Sequence, residues 1–183
     1  ALWAMGDLQR ANETFRDFAQ GNARAVQPRI RRARLFLQTH QYKDAAELFR
    51  EALTIFPGDP HAKLGLARVL AERFEGEAGP LLEEVLRDHE DLVEAHLLSA
   101  QLALESGQAD AAQKSLERAG DLAGKQKLPP LEIFAMRAGV EITRDRDPAP
   151  WIKRALDYNP RYGAGYAQLR HLQFMLLPYR EAR

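Results

Sequence analysis

Cysteine is absent from the 183 residues, which removes disulfides, thiolate metal sites and cysteine nucleophiles together. The compartment stays open, because a chain without thiols folds alike under either redox condition. Net charge is absent as well. The 26 basic side chains balance 26 acidic ones, so the basic footprint of a nucleic-acid binder is missing and no nucleic-acid partner is expected. No run approaches the ~20 consecutive apolar residues of a membrane helix, and no charged segment followed by a hydrophobic core opens the sequence, so membrane insertion is not expected either.

Chemistry-bearing patterns are equally scarce. No glycine-rich phosphate loop follows a strand, and no strand pattern is present. Ser99, Ser106 and Ser115 lack the elbow context that activates a nucleophile. Among the five histidines, His89 and His96 with Glu90 come nearest to a metal pattern, but they are seven residues apart across a predicted turn. Two zinc-binding histidines on one helix require i, i+4 spacing with a glutamate between them. The sequence therefore predicts no catalytic residue, no metal and no cofactor.

What is there is a period. Ala11, Ala45, Ala78 and Ala112 follow one another at 34, 33 and 34 residues, and a fixed period of this length marks one supersecondary unit repeated along the chain. A second row, Phe15, Phe49, Leu82 and Leu116, lies four residues after each alanine, and a third, Phe18, Ala52, Val85 and Ala119, three residues further. Offsets of four and seven place all three rows on one helical face. A fourth row, Ala33, Ala67 and Ala100, precedes the matching alanine by 11 or 12 residues, on the helix before. Each unit is thus two helices, closely packed where alanine is contributed. Phe36, Phe49, Leu53, Leu70, Leu82 and Leu116 are expected to fill the seams between hairpins.

Prolines and glycines punctuate these segments or fall in first helical turns. The expected helices are 7–20, 27–39, 42–55, 60–73, 77–88, 92–105, 109–123, 130–143, 148–158 and 162–177. The fold class is all-α.

Ala33, Phe36, Tyr42, Ala45, Phe49, Ala52 and Pro57 in residues 26–59, with Ala100, Gly107, Ala112, Leu116 and Ala119 in residues 93–125, resemble the tetratricopeptide repeat family. That family has small residues at the helix crossings, glycine before the second helix and proline closing the unit. Residues 60–92 depart from the pattern, with Gly79 and Pro80 in the first turn of their second helix and Glu90 at the closing position. Ala138, Ala155 and Pro160 fit once the intervening turn is shortened. The resemblance implies a right-handed α-solenoid of stacked antiparallel helix hairpins, about five repeats with truncated ends. The whole chain, 1–183, reads as one array with units at 1–25 (partial), 26–59, 60–92, 93–128, 129–160 and 161–183 (partial). Trp3, Gly6, Leu8, Ala11 and Phe15 look like a first helix's tail plus a second helix, while Tyr179 and Ala182 match Tyr42 and Ala45. Both ends are read as cut from a longer array.

In this family the first helix of each unit lines a concave groove that holds a peptide. Carried over, its positions are Gln27, Ile30, Arg34 and Leu37, then His61, Leu64, Arg68 and Glu72, then Glu94, Leu97, Gln101 and Glu105. Arg34 and Arg68 are suited to ligand carboxylates, or else are solvated or paired within the chain. Ile30, Leu64 and Leu97 share one repeat position and form either an apolar ladder toward the ligand or packing within the superhelix. The lysine and asparagine of the clamp for C-terminal carboxylates are replaced here by Ile30 and Arg34, so that specificity is not implied. Phe134, Trp151, Tyr158, Tyr162, Tyr166, Phe174 and Tyr179, rimmed by Arg137, Arg154 and Arg170, are either a partner surface or seam packing. The expected partner is a protein or peptide. The other readings are a spacer that self-associates through exposed terminal seams, and an accessory repeat region of an exported bacterial peptidase-like enzyme, to which the segment from Asn159 to Gly163 is similar.

Overall fold

A computed structural model describes residues 7–73 and 76–160. Over these residues the chain forms nine helices and no strand: α1 Leu8–Gly21, α2 Val26–Gln38, α3 Tyr42–Ile55, α4 Pro60–Glu72, α5 Ala78–Asp88, α6 Val93–Glu105, α7 Ala109–Gln126, α8 Leu131–Thr143 and α9 Ala149–Tyr158. The periodicity located all nine. The tenth expected helix, 162–177, lies outside the described residues. The chain divides into two compact units, 1–90 carrying α1 to α5 and 91–183 carrying α6 to α9.

Within each unit the pairing is the same. In the first, α2 packs on α3, α3 on α4 and α2 on α4; in the second, α6 packs on α7, α7 on α8 and α6 on α8. First helices of successive hairpins therefore lie side by side, with the intervening second helix behind them. The alanine rows explain how this closeness arises. Ala33 and Ala67 on first helices, and Ala45 and Ala52 on α3, have no exposed surface at all. In the second unit Ala100, Ala112, Leu116 and Ala119 are buried in one cluster with Val93, Leu97, Ile133 and Val140. A residue larger than alanine at such a crossing would hold the axes apart and open voids along the seam.

Phe49 shows how tight the packing is. It is fully buried, and its ring lies on Gly65 of α4, where a Cβ would meet ring carbons at 2.2 Å. Glycine in mid-helix costs roughly 1 kcal/mol against alanine, and here that cost admits a ring whose burial contributes about 1.5–3 kcal/mol. Phe18 departs from its row. Its counterparts Ala52, Val85 and Ala119 are buried, whereas Phe18 is 61% exposed, because among the described helices α1 packs chiefly against α2.

Helix ends follow local chemistry. Asp59 is 7% exposed, and its carboxylate is satisfied by the His61 and Ala62 amides at 3.0 and 2.9 Å, capping α4 with Pro60 at its start. A negative side chain there also complements the helix dipole. The turn inside three hairpins is one recurring stop: His40, Gly107 and Asp145 adopt positive φ. Each is followed by an amide bonded five residues back, Gln41 to Phe36, Gln108 to Ala103 and Arg146 to Glu141, at 2.8, 2.7 and 2.7 Å. This satisfies carbonyls that the helix end leaves open. Lys127 ends α7 the same way with φ 55°, which carries α7 three residues past its expected end at 123.

Two substitutions test these points. Gly65→Ala gains helix propensity but forces its methyl into a ring that has no room to yield, so unfolding in urea should show a net loss of about 1–2 kcal/mol. Lys127→Gly relieves a left-handed L-residue and should stabilise by roughly 0.5–1 kcal/mol. An unchanged midpoint for the first would mean that Phe49 has an alternative seat.

Candidate peptide-binding face

In the first unit the candidate positions lie on α2 and α4. Gln27, Arg34 and Glu72 are exposed, Leu37, His61 and Arg68 half-buried. In the second unit Glu94 and Glu105 are exposed and Gln101 half-buried on α6. The shared apolar position behaves differently: Ile30 is 2% exposed, Leu64 7% and Leu97 5%, and Leu97 belongs to the hydrophobic cluster of the second unit. Of the two roles open to these residues, this burial accords with packing. It fits the helical geometry, since polar members sit on the outward side of first helices whose inner side is the seam.

The structure brings some of these side chains together. Arg34 Nη2 lies 3.4 Å from His61 Nδ1, a link from α2 to α4. Guanidinium has no acceptor, so His61 Nδ1 must accept and its proton rests on Nε2. Arg68 is engaged in interactions of its own. On α6, Gln101 Nε2 donates to Glu105 Oε1 at 2.9 Å, one helical turn away. Glu72, at the end of α4, accepts from the Tyr42 hydroxyl at 3.5 Å, a long bond. His40 Nδ1 stands 2.8 Å from the same hydroxyl.

His40 and Tyr42 were not among the candidates, although they edge this face. Tyr42 falls at a family position, but that offset marks where α3 begins and says nothing of a reach to Glu72. His40 is in the left-handed stop before α3, and a sequence gives no direction to a side chain at such a turn. The histidines His89 and His96, both half-buried, stand apart from these residues in sequence and element. Among the described residues no group of three His, Asp or Glu could hold a metal ion, and no helix is long and apolar enough to cross a membrane.

Within each unit, first helices with polar outward positions and second helices packed behind them define a helical-hairpin repeat protein. The tetratricopeptide repeat model matches residues 1–60 and 30–91. The chain belongs to the tetratricopeptide repeat family, whose fold is generally a non-catalytic one for protein interaction. No curated protein sequence matches it. Among solved structures it is similar to TTC0263, a thermophilic TPR protein of Thermus thermophilus, with 18% identity, 94% of each chain covered and a TM-score of 0.79. It is also similar to YrrB, described as a TPR protein with an unusual peptide-binding site, at 17% identity over 92% of this chain and 87% of that one, TM-score 0.57. MamA of Desulfovibrio magneticus shares 15% identity over 88% of this chain and 90% of its own, TM-score 0.63. At these identities the likeness concerns the fold.

Burial first, and then the Glu72 carboxylate beside it, hold the Tyr42 phenol above its ordinary 10, since both disfavour the phenolate. The folded state thus favours the neutral phenol, and the resulting stability is present below pH 10 and lost as pH rises past the raised value. Glu72→Gln should lower the Tyr42 titration, followed by tyrosinate absorbance, toward 10 without reaching it, because burial remains. A titration that did not move would place Glu72 out of range.

Proposed function

We propose that the outward face of α2 and α4 recognises an extended or helical segment of a partner protein through Gln27, Arg34, Leu37, His61, Arg68 and Glu72. Glu94, Gln101 and Glu105 present the corresponding positions on α6. Ile30, Leu64 and Leu97 serve this face from beneath, fixing the helices that carry it. The reading gives the chain no catalytic step of its own.

One observation carries it. Arg34 is exposed and, among the described residues, touches only a neutral nitrogen of His61 across the α2–α4 boundary, so its fork remains available to a ligand carboxylate. The neighbouring helix supplies half-buried Arg68, while Glu72 gives the far end the opposite sign. A segment with an acidic residue near Arg34 and a basic one near Glu72 would match that polarity. The peptide-binding site named for YrrB, a protein of the same fold, supports the assignment of a peptide to such a surface. Self-association is the second reading, favoured by Leu8 and Phe18 on α1, which are 40% and 61% exposed.

Capture of partners by the purified chain, compared with the R34E/R68E double variant and identified by mass spectrometry, tests the proposal. A partner that binds the parent and is weakened roughly tenfold or more by the double variant, as loss of charge-assisted bonds should give, supports it, provided circular dichroism shows unchanged helicity. Recovery of the chain itself alone, with dimers in sedimentation, would instead favour the self-associating reading. Equal binding by parent and variant would remove both arginines from the site.

A further inference from the structure

The aromatic and arginine-rich stretch in the second unit condenses around one side chain. Trp151 of α9 is stacked by Phe134 of α8, with centroids 6.2 Å apart and planes inclined by 28°. Two guanidiniums share the same indole: Arg137 of α8 lies 4.7 Å from its centroid, and Arg154, one turn further along α9, lies 4.6 Å from it. Arg137 Nη2 also lies beside Gly120 of α7, at ordinary contact distance, 3.5 Å, from where a Cβ would stand. Two like charges are thus held on one ring, whose quadrupole attracts each but neutralises neither.

Among the described residues no counter-charge is paired with these two arginines. Arg137 Nε is buried and has no hydrogen-bond partner. Among the described residues neither Arg137 nor Arg154 reaches a carboxylate. Nearby carboxylates are occupied: Glu141 pairs with Arg146 at 2.7 Å, Asp157 with Lys153 at 2.7 Å, and Asp147 accepts from the first amide of α9 at 2.9 Å. Beyond Pro160 the sequence has one further acidic side chain, Glu181. Paired arginines without an acid are unusual on a surface where charges of both signs are equally abundant.

We propose that Arg137, Trp151 and Arg154 form a recognition point for an acidic segment of a partner protein. Arg154 is exposed and can turn its fork to a carboxylate while its stem stays on the indole. Arg137 is held in place and contributes a fixed positive field. Phe134 and the edge of Trp151 offer a flat apolar seat to the ligand residue next to the acid. Single-stranded nucleic acid would need a free aromatic face for base stacking, and here two guanidiniums and a phenyl ring already occupy the indole, whereas a carboxylate needs only the ends of the forks. The site stands on α8 and α9 and does not rest on the α2–α4 reading.

The sequence has two tryptophans, Trp3 and Trp151, so Trp3→Phe leaves Trp151 as the only indole reporter. Fluorescence titration of that full-length variant with an octapeptide of alternating glutamate and alanine should give a saturable change, and the glutamine counterpart should give none. Adding Arg154→Gln should weaken binding roughly tenfold or more, the loss expected for a charge-assisted bond, while R154K restores part of it. The R34E/R68E pair should leave the titration unchanged, which separates this site from the α2–α4 face. Since Arg137→Gln alters packing, Arg154→Gln on the exposed position is the decisive variant. No response to the glutamate peptide, an equal response to its glutamine counterpart, undiminished affinity in R154Q, or tighter binding of an oligothymidylate would each overturn the proposal.

Discussion

The structure depends on how closely two helices can approach. Ala33, Ala45, Ala52, Ala67, Ala100, Ala112 and Ala119 are all completely buried, and each occupies a place where a longer side chain would hold a neighbouring axis away. Once the axes are close, the large residues between the alanines must be accommodated in what little space remains. Phe49 finds it only because α4 has a glycine opposite. Leu104 and Gly139 stand in a milder version of the same relation between α6 and α8, with a Cβ-to-methyl distance of 3.3 Å. Close packing of this kind makes the hairpins rigid and their outward faces well placed for recognition.

That rigidity separates two sets of residues on the same helix. On α2, Ile30 and Ala33 face the seam while Gln27 and Arg34 face outward; on α4, Leu64 and Ala67 do the former and Glu72 the latter. Outward residues contribute little to the core, so their charge can be set by what is recognised rather than by what folds. The first unit presents arginines on α2 and α4, the second presents glutamates at both ends of α6, and α8 with α9 gathers arginine around an indole. Surfaces of different sign and shape are therefore built on one repeated scaffold.

Helix termination shows a further economy. The family pattern expects glycine before the second helix, and Gly107 supplies it, but His40 and Asp145 adopt the same left-handed conformation with side chains attached. The strain is on the order of 1–2 kcal/mol for an ordinary L-residue, and it is met by the carbonyl-satisfying bonds that the motif makes on either side. At His40 the side chain also gains a contact, since its Nδ1 reaches the Tyr42 hydroxyl. A turn residue that would look anomalous in a sequence thus becomes part of the edge of the proposed recognition face.

By itself the sequence determined the helices, because a 34-residue period of alanines and large apolar residues can be satisfied only by amphipathic helices meeting at regular intervals. The nine described helices lie within about three residues of their expected bounds, the usual uncertainty where propensity alone sets an end. Phe49 and Leu116 were legible as seam residues for the same reason. Tertiary structure decided the rest. Whether Ile30, Leu64 and Leu97 face ligand or core depends on the rotation of each helix about its axis, which a repeat position leaves undetermined by a fraction of a turn. The meeting of Arg34 with His61, of Tyr42 with Glu72, and of Arg137 and Arg154 on Trp151 joins residues from different helices or turns. Such contacts are fixed by the distances between axes and by side-chain rotamers, and neither is written in the order of the residues.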